Sequence, residues 1–244
     1  QVMKQSVFTT VVLVAAFAIG IVVFEILPEF IQKGGPLVVA LIALMVMLIT
    51  FVFERLFSLR KAQGKGAITT FLKAVQQAIN GGDVDAAISA CDKQRGSCAN
   101  ILRTGLERYK TVVEEGDVKG QKAIMEEVNH AIEEATMLEV PLLERNLVAM
   151  STIASISTMV GLLGTVIGMI RSFAALARAG APDAVALSIG ISEALINTAG
   201  GIAAGIGGIV AYNFFVTKVD NFTYMIDEAS YSIVQSLVTR KGRK

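Results

Sequence analysis

Glu193 and Asn197 are the residues whose positions most suggest chemistry, because both lie inside the long apolar run from Ala184 to Thr217. Glu193 is the only charged side chain in that run. An ionisable residue at bilayer depth costs about 2.5 to 3.5 kcal/mol on insertion scales, so it normally faces a bundle interior or a water-filled path. Two interpretations remain open: Glu193 belongs to an ion path, or it is a structural acid near the outer interface, bonded to a neighbouring helix. Around a helix, Asn197 lies about 40° from Glu193 and Thr198 about 140° away.

Hydroxyl side chains form a second pattern in the preceding apolar stretch. They recur at spacings of four, three and seven, which places them on one helix face: Ser151, Ser155, Thr158 and Thr165. Such a stripe can line a water or ion path, but membrane helices also use hydroxyls to bond to one another. The spacing alone does not decide between the two.

Small residues form a third pattern on the same two stretches. Glycine lets helix backbones approach closely, so we expect tight packing between the two helices or against other subunits. The residues concerned are Gly161, Gly164 and Gly168, and Gly201, Gly205 and Gly208. No Lys-Ser or Lys-Thr pair follows these glycines, so a phosphate-binding loop is not expected.

Other chemistry has little support. Cys91 and Cys98 are the only cysteines and His130 is the only histidine, so no ligand cluster for a metal is expected. Lys plus Arg number 22 against 21 for Asp plus Glu, so no strong field draws the chain to nucleic acid. We expect no enzyme, no cofactor and two reduced thiols.

The elements that carry these patterns are predicted to be membrane helices. Hydrophobic residues make up 53% of the 244 residues and charged residues only 18%, which is typical of a membrane protein. A spanning helix needs about 20 mostly apolar residues. Four stretches qualify: 7–27, 36–57, 146–170 and 184–217. The first runs past the signal-like Ala16-Phe17-Ala18, so a retained span is expected.

Basic residues near the spans give the orientation. Those after the second span, such as Arg60 and Lys61, and those at the end of the chain should be cytoplasmic. The connections 28–35 and 171–183 then face the other side, although Arg171 and Arg178 run against the rule.

An all-α integral membrane protein follows, with long helices extending into a cytoplasmic helical domain. The predicted parts are 1–57 with two spans, 58–145 as the cytoplasmic domain, 146–217 with two channel-forming spans, and 218–244 as a cytoplasmic helix with a basic tail. The 34 residues of the last run would make a helix of about 51 Å, longer than the bilayer. Asn80-Gly81-Gly82-Asp83 predicts an αα-hairpin in the cytoplasmic part.

The chain resembles the MotA/TolQ/ExbB proton-channel family, most closely ExbB and TolQ. The motifs are GLLGTVIGM at 161–169, GISEALINTAGG at 190–201 and the Tyr-Asn pair at 212–213. The resemblance implies a bacterial inner-membrane motor subunit in an oligomeric ring, commonly a pentamer. The ring would enclose a dimeric single-span partner similar to ExbD, whose aspartate carries the proton, and would energise a TonB-like protein.

The resemblance also implies roles for individual residues. Thr165 would line the pore on the third span, and Glu193 and Thr198 would be the glutamate and threonine of the fourth. Departures leave details open: Thr158 and Gly207 stand where these relatives usually have proline, and Asn197 replaces a small residue or threonine. The coupling ion, proton or sodium, is therefore undecided.

The first span is an addition to the usual three of ExbB and TolQ. MotA has four spans, but the motifs favour an ExbB-like core with an added peripheral helix. A TolQ-like subunit, a MotA-like or gliding-type motor subunit and a passive membrane scaffold are the alternatives.

Overall fold

A computed structural model describes residues 2–115, 120–177 and 183–241, and throughout these residues the regular structure is helical, with no strand. The helices are α1 (Val2–Ile26), α2 (Glu29–Gln32), α3 (Pro36–Gln63), α4 (Ile68–Gly81), α5 (Val84–Gln94), α6 (Ser97–Glu115), α7 (Gln121–Glu144), α8 (Leu147–Leu176) and α9 (Ala184–Lys241). The all-α prediction is thus confirmed for the described part of the chain. Arg178 and the last three residues, to which the sequence also assigned topological roles, lie outside it.

The chain divides into two compact units. Unit 1 comprises Gln1–Glu54 and Asn146–Phe215, and unit 2 comprises Arg55–Arg145 and Val216–Lys244. The long helices α3 and α9 each contribute residues to both units.

Three segments of the described chain are long and apolar enough to cross a membrane. They lie within Pro36–Gly81, Gln121–Leu176 and Ala184–Thr239. The first predicted span also forms a helix, α1, but its described apolar part is the shorter stretch Thr10–Ile26. Three apolar helices are therefore established, and the four-span count stays a prediction.

In unit 1 the helices meet through small residues. A β-carbon added at Gly20 of α1 would lie 3.0 Å from the backbone oxygen of Val39 and 3.6 Å from the side chain of Ala43, so α1 lies close against α3. A β-carbon added at Gly200 of α9 would lie 3.3 Å from the side chain of Leu41 of α3, so α9 also lies close against α3. Close backbone approach of this kind is what holds membrane helices together in the absence of a hydrophobic driving force.

Unit 2 has an apolar interior between its helices. The predicted αα-hairpin is confirmed. α4 ends at Gly81 and is followed by Gly82, whose φ of 91° is left-handed. The Asp83 side chain caps α5 by accepting from the Ala86 amide at 2.8 Å. Fully buried aliphatic side chains fill the core: Val75, Ile79, Ile101, Leu102, Leu106, Ile124 and Val128.

The connection between α7 and α8 is short. Pro141 lies inside α7, which ends at Glu144. Asn146 then adopts a left-handed conformation, with φ of 63°, before α8 begins. Its side-chain amide donates to the Glu54 carboxylate at 3.1 Å within unit 1. Asparagine tolerates this backbone conformation better than most residues, which explains its place at the junction.

Candidate functional site

The site lies along the seam between α8 and α9 in unit 1, where the two backbones touch. A β-carbon added at Gly161 would lie 2.9 Å from the carbonyl oxygen of Asn197 and 3.0 Å from the Cα of Gly201. One added at Gly168 would lie 2.6 Å from the carbonyl oxygen of Gly190. Larger side chains would therefore push the helices apart.

The seam continues along the same two helices. A β-carbon at Gly205 would overlap the hydroxyl of Thr158, and one at Gly208 would lie 2.6 Å from the side chain of Ala154. Contacts that rise in residue number along α8 fall along α9, so the helices are antiparallel. The glycines that the sequence assigned to helix packing all lie on this seam.

Thr165 and Thr198 meet side chain to side chain across the seam. Their hydroxyls are in hydrogen-bonding contact, and both residues are half-buried. Each hydroxyl also lies within reach of a carbonyl of its own helix: Thr165 to Gly161 at 3.3 Å, and Thr198 to Ala194 at 2.9 Å. Each hydroxyl has one proton, so two protons serve three contacts. At any moment one contact lacks a proton, and the pair can rearrange without moving the backbone.

Glu193 forms an ion pair with an arginine. Both of its carboxylate oxygens accept from the same guanidinium nitrogen, Nη1 of Arg171 on α8, at 2.6 Å. The glutamate side chain is 4% exposed and that of the arginine 56%. Gly35, with φ of 72°, comes so near that a β-carbon there would lie 2.8 Å from a carboxylate oxygen. The acid is thus held by a neighbouring helix and covered by the turn before α3.

Asn197 ties α9 to the same turn. Its side-chain amide is completely buried and donates to the carbonyl oxygen of Gly34 at 2.7 Å and to that of Glu193 at 3.0 Å. Exchanging its nitrogen and oxygen would set an acceptor against two carbonyl oxygens, so these bonds fix the orientation of the amide. Its Oδ1 is buried with no hydrogen-bond partner. Gly164 provides the space for this side chain, because any β-carbon there would overlap it.

The rest of the hydroxyl stripe on α8 is turned onto its own helix. The hydroxyls of Ser151, Ser155 and Thr158 donate to carbonyls three or four residues earlier on α8. Of the four stripe members, Thr165 is the one whose hydroxyl is in hydrogen-bonding contact with a side chain of α9. The structure therefore brings Thr165 and Thr198 together, and gathers Glu193 and Asn197 into a separate cluster.

Arg171 and the Gly34-Gly35 turn were missed by sequence reasoning. Arg171 was expected in the outer connection, 171–183, but α8 continues to Leu176, because Phe173-Ala-Ala-Leu extends the helix. A signal was available in the spacing. If Gly161 packs against Gly201 in an antiparallel pair, Arg171 lies ten residues further along α8 and Glu193 eight residues back along α9, which predicts that the two are neighbours.

Among the described residues, no group of three His, Cys, Asp or Glu side chains is placed to bind a metal ion. Cys91 and Cys98 are both buried in unit 2. Burial raises the pKa of each thiol to about 12, and for Cys91 the neighbouring Cys98 and Asp92 add to the effect.

Comparison with protein families identifies the family to which the α8–α9 segment belongs. The model of the MotA/TolQ/ExbB proton channel family matches residues 93–228, more than half of the chain and all of the seam. The chain belongs to this family.

Individual relatives agree with the assignment. The chain is similar to the Tol-Pal system protein TolQ of Pseudomonas aeruginosa, at 36% identity over 118 residues, 48% of this chain and 51% of that protein. It is also similar to the biopolymer transport protein ExbB of Pseudomonas putida, at 34% identity over 85 residues, 35% of this chain and 26% of that protein.

ExbB of Helicobacter pylori is 40% identical over 78 residues, 32% of this chain and 54% of that protein. The chain therefore spans about a quarter to about half the length of these relatives. Both ExbB and TolQ proteins occur among them, so similarity alone does not separate the two.

Proposed function

We propose that this chain is an ExbB-like subunit of an inner-membrane motor driven by the proton-motive force. The observation that carries the proposal is the meeting of the Thr165 and Thr198 hydroxyls across the α8–α9 seam. Membership of a proton channel family supports it.

Thr165 and Thr198 act in this proposal as the polar lining of the ion path. Their shared protons let one hydroxyl turn away from the pair and bond to a passing water molecule while the other keeps its helix carbonyl. A path lined in this way lowers the cost of a partly hydrated ion at bilayer depth. In this proposal Thr165 and Thr198 face the ion. The shape of the seam depends also on Asn197, Thr158 and Glu193.

The proton carrier belongs to a partner in this proposal. Glu193 is already bound by Arg171, so we assign the proton-carrying acid to another subunit. We propose a ring of copies of this chain, a pentamer, around a dimer of a single-span protein similar to ExbD, whose acid performs that step. Membrane lipid surrounds the ring, and a TonB-like protein receives the work.

Large apolar side chains on the outer faces of α8 and α9 support a ring in lipid. They project away from the seam and are well exposed in the single chain: Met159, Leu162, Val166, Ile170, Leu195, Ile202, Ile206 and Val210. Copies of the chain and lipid tails would cover them.

The proposed topology has four spans, with 58–145 and 218–244 in the cytoplasm. Single cysteines introduced at exposed positions of the described chain test it. Lys61 of α3 should be labelled from the cytoplasmic side, and Glu29 of α2 from the other. Labelling of both from one side would contradict this topology.

A passive membrane scaffold is the second candidate. The Arg171–Glu193 ion pair favours it, because pairing with an arginine explains a buried acid without any ion path. A TolQ-like or MotA-like motor subunit differs from the first proposal only in the partner driven. The genes next to this one separate these cases, since a motor subunit needs a single-span partner with a membrane aspartate.

The decisive experiment replaces both hydroxyls with methyl groups of the same shape. Thr165→Val and Thr198→Val should abolish proton-motive-force-driven uptake or envelope function in cells while the protein reaches normal membrane levels and retains its partner. Ser155→Ala is the matched control, because this exposed hydroxyl bonds only to its own helix. Normal function in the two valine variants would refute the motor proposal and favour the scaffold.

A further inference from the structure

The ion pair between Arg171 and Glu193 joins the same two helices as the threonine pair, at a similar distance along each helix. Around the helices the two contacts differ by about 120° on α8 and about 140° on α9. Arg171 follows Thr165 by six residues on α8, and Glu193 precedes Thr198 by five on α9. At 1.5 Å per residue these offsets are about 9 Å and about 7.5 Å. The ion pair and the contact between the two hydroxyls are present together in the register that the structure shows.

The surfaces between these two contacts offer few interlocking side chains. Gly168 lies against Gly190 and Ala194, so over this length backbone faces backbone. Ridges of large side chains fix the register of helices in water-soluble proteins. Here the interlocking side chain is Asn197, which fills the space beside Gly164. A directional contact adds to what this fit supplies.

The threonine pair does not supply that contact. Both hydroxyls already have an acceptor on their own helix, so their mutual hydrogen bond can be given up at little cost. The carboxylate of Glu193 has no such substitute: its side chain is 4% exposed, and Arg171 is the side chain that donates to both of its oxygens. A displaced register would leave a charge buried without its partner.

The turn before α3 strengthens this end of the seam. Asn197, one turn beyond Glu193 on α9, donates to the carbonyl oxygen of Gly34, and Gly35 covers the carboxylate. A bulkier residue at Gly35 would meet the carboxylate oxygen, and its φ of 72° disfavours any side chain. The acid is therefore fixed from α8, from α9 and from the turn.

We propose that Arg171 is a positioning residue: its ion pair with Glu193 sets the register of α8 against α9 and thereby holds the hydroxyls of Thr165 and Thr198 face to face. The relevance of that register to ion flow rests on the proposed function, but the register itself does not. Glu193 acts in this role as a fixed anion.

The test measures the register directly, by disulfide formation between Thr165→Cys and Thr198→Cys in the full-length chain in membranes. Cys91 and Cys98 are replaced by alanine, and copper–phenanthroline is the oxidant. A crosslink within one chain changes the mobility of the monomer on a non-reducing gel, whereas a crosslink between copies gives a dimer band. Only the first is scored.

Arg171→Gln should slow this crosslinking at least fivefold, and Arg171→Lys should restore it to within twofold of the parent, because the ammonium group still pairs with the carboxylate. Ser172→Ala is the matched control. It removes a buried hydroxyl that bonds to Gly168 and Leu187 on the same seam but leaves the ion pair intact. It should crosslink within twofold of the parent.

Three results would overturn the proposal: an Arg171→Gln rate within twofold of the parent, equal slowing by Ser172→Ala, or no recovery with lysine. Crosslinking requires no ion flow, so slowed crosslinking together with full function of the valine variants would refute the motor proposal and leave the register role intact.

Discussion

Unit 1 and unit 2 differ in what they expose. In unit 1 large aliphatic side chains of α8 and α9 are exposed, whereas in unit 2 ion pairs such as Lys110–Asp85 lie on the surface. Both interiors are mostly apolar and bury a few polar side chains: Ser157, Ser172, Glu193 and Asn197 in unit 1, and Arg55, Gln94, Ser97 and Ser230 in unit 2. The exposed aliphatic surface of α8 and α9 suits a lipid environment.

The contrast also shows what holds each unit together. Unit 1 depends on close backbone approach and a few polar contacts, since burial of apolar side chains gains little in lipid. Unit 2 depends on the hydrophobic effect, at about 25 cal/mol for each Å² of apolar surface buried. The same type of substitution should therefore have different consequences in the two units.

Filling the glycine seam should have the largest effect. Gly164→Leu places a side chain where Asn197 lies, so it should destabilise the α8–α9 pair by about 3 kcal/mol or more. The measurement is the temperature at which purified protein stops eluting as its native peak. Gly207→Leu is the control, because the nearest atom to an added β-carbon there is 3.9 Å away on Leu48. Equal effects at the two glycines would contradict the assignment of the seam.

Removing the buried cation of unit 2 should come next. Arg55 is 1% exposed and donates to the carbonyl oxygens of Leu143 at 3.0 Å and Leu142 at 3.5 Å, near the end of α7. Its charge also complements the negative end of the helix dipole. Arg55→Met should cost about 2 kcal/mol in thermal or urea unfolding. Arg60→Met, at an exposed position of the same helix, should cost much less. A neutral result for Arg55 would show that α7 ends without needing this cation.

The thiols of unit 2 predict a smaller effect that depends on pH. The folded-state pKa of Cys91 and Cys98 is about 12 against an ordinary value of 9.0, so the folded state favours the neutral thiol. The resulting stability is complete below pH 9 and is lost as the pH rises toward 12. Native protein at pH 8 should react with a thiol reagent far more slowly than urea-unfolded protein. Equal rates would mean that the thiols are not buried.

Loss of a surface ion pair should have the smallest effect. Lys110 and Asp85 lie 2.6 Å apart but are 40% and 72% exposed, so water and salt screen their attraction. A double-mutant cycle with Lys110→Ala and Asp85→Ala should give a coupling energy near zero in thermal unfolding at 0.5 M salt. A strong coupling would weaken the contrast, because surface charges would then contribute to the stability of unit 2.

The sequence predicts more of the architecture than of the contacts. Long apolar runs indicate membrane helices, and Asn80-Gly81-Gly82-Asp83 predicts the α4–α5 hairpin, because a left-handed glycine and a capping aspartate are local requirements. The family motifs are local as well. These features depend on neighbours in the chain, so they can be recognised without knowledge of the fold.

The partner of Glu193 depends instead on tertiary structure. Arg171 is a cation at the end of an apolar run, and the sequence placed it in the connection because basic residues usually lie outside the membrane. Which of the two interpretations of Glu193 applies depends on the register of α8 against α9. Register arises from many weak contacts between small residues, and no local pattern records it.

α9 has a further consequence as a mechanical element. It runs for 58 residues, about 87 Å at 1.5 Å per residue, and contains no proline. Proline kinks make helices bend at fixed points, whereas glycine softens a helix without fixing its direction. The stretch 200–208 of α9 holds five glycines, a few residues beyond Thr198, and three of them, Gly201, Gly205 and Gly208, lie against α8. α8 therefore braces α9 where the sequence of α9 itself resists torsion least.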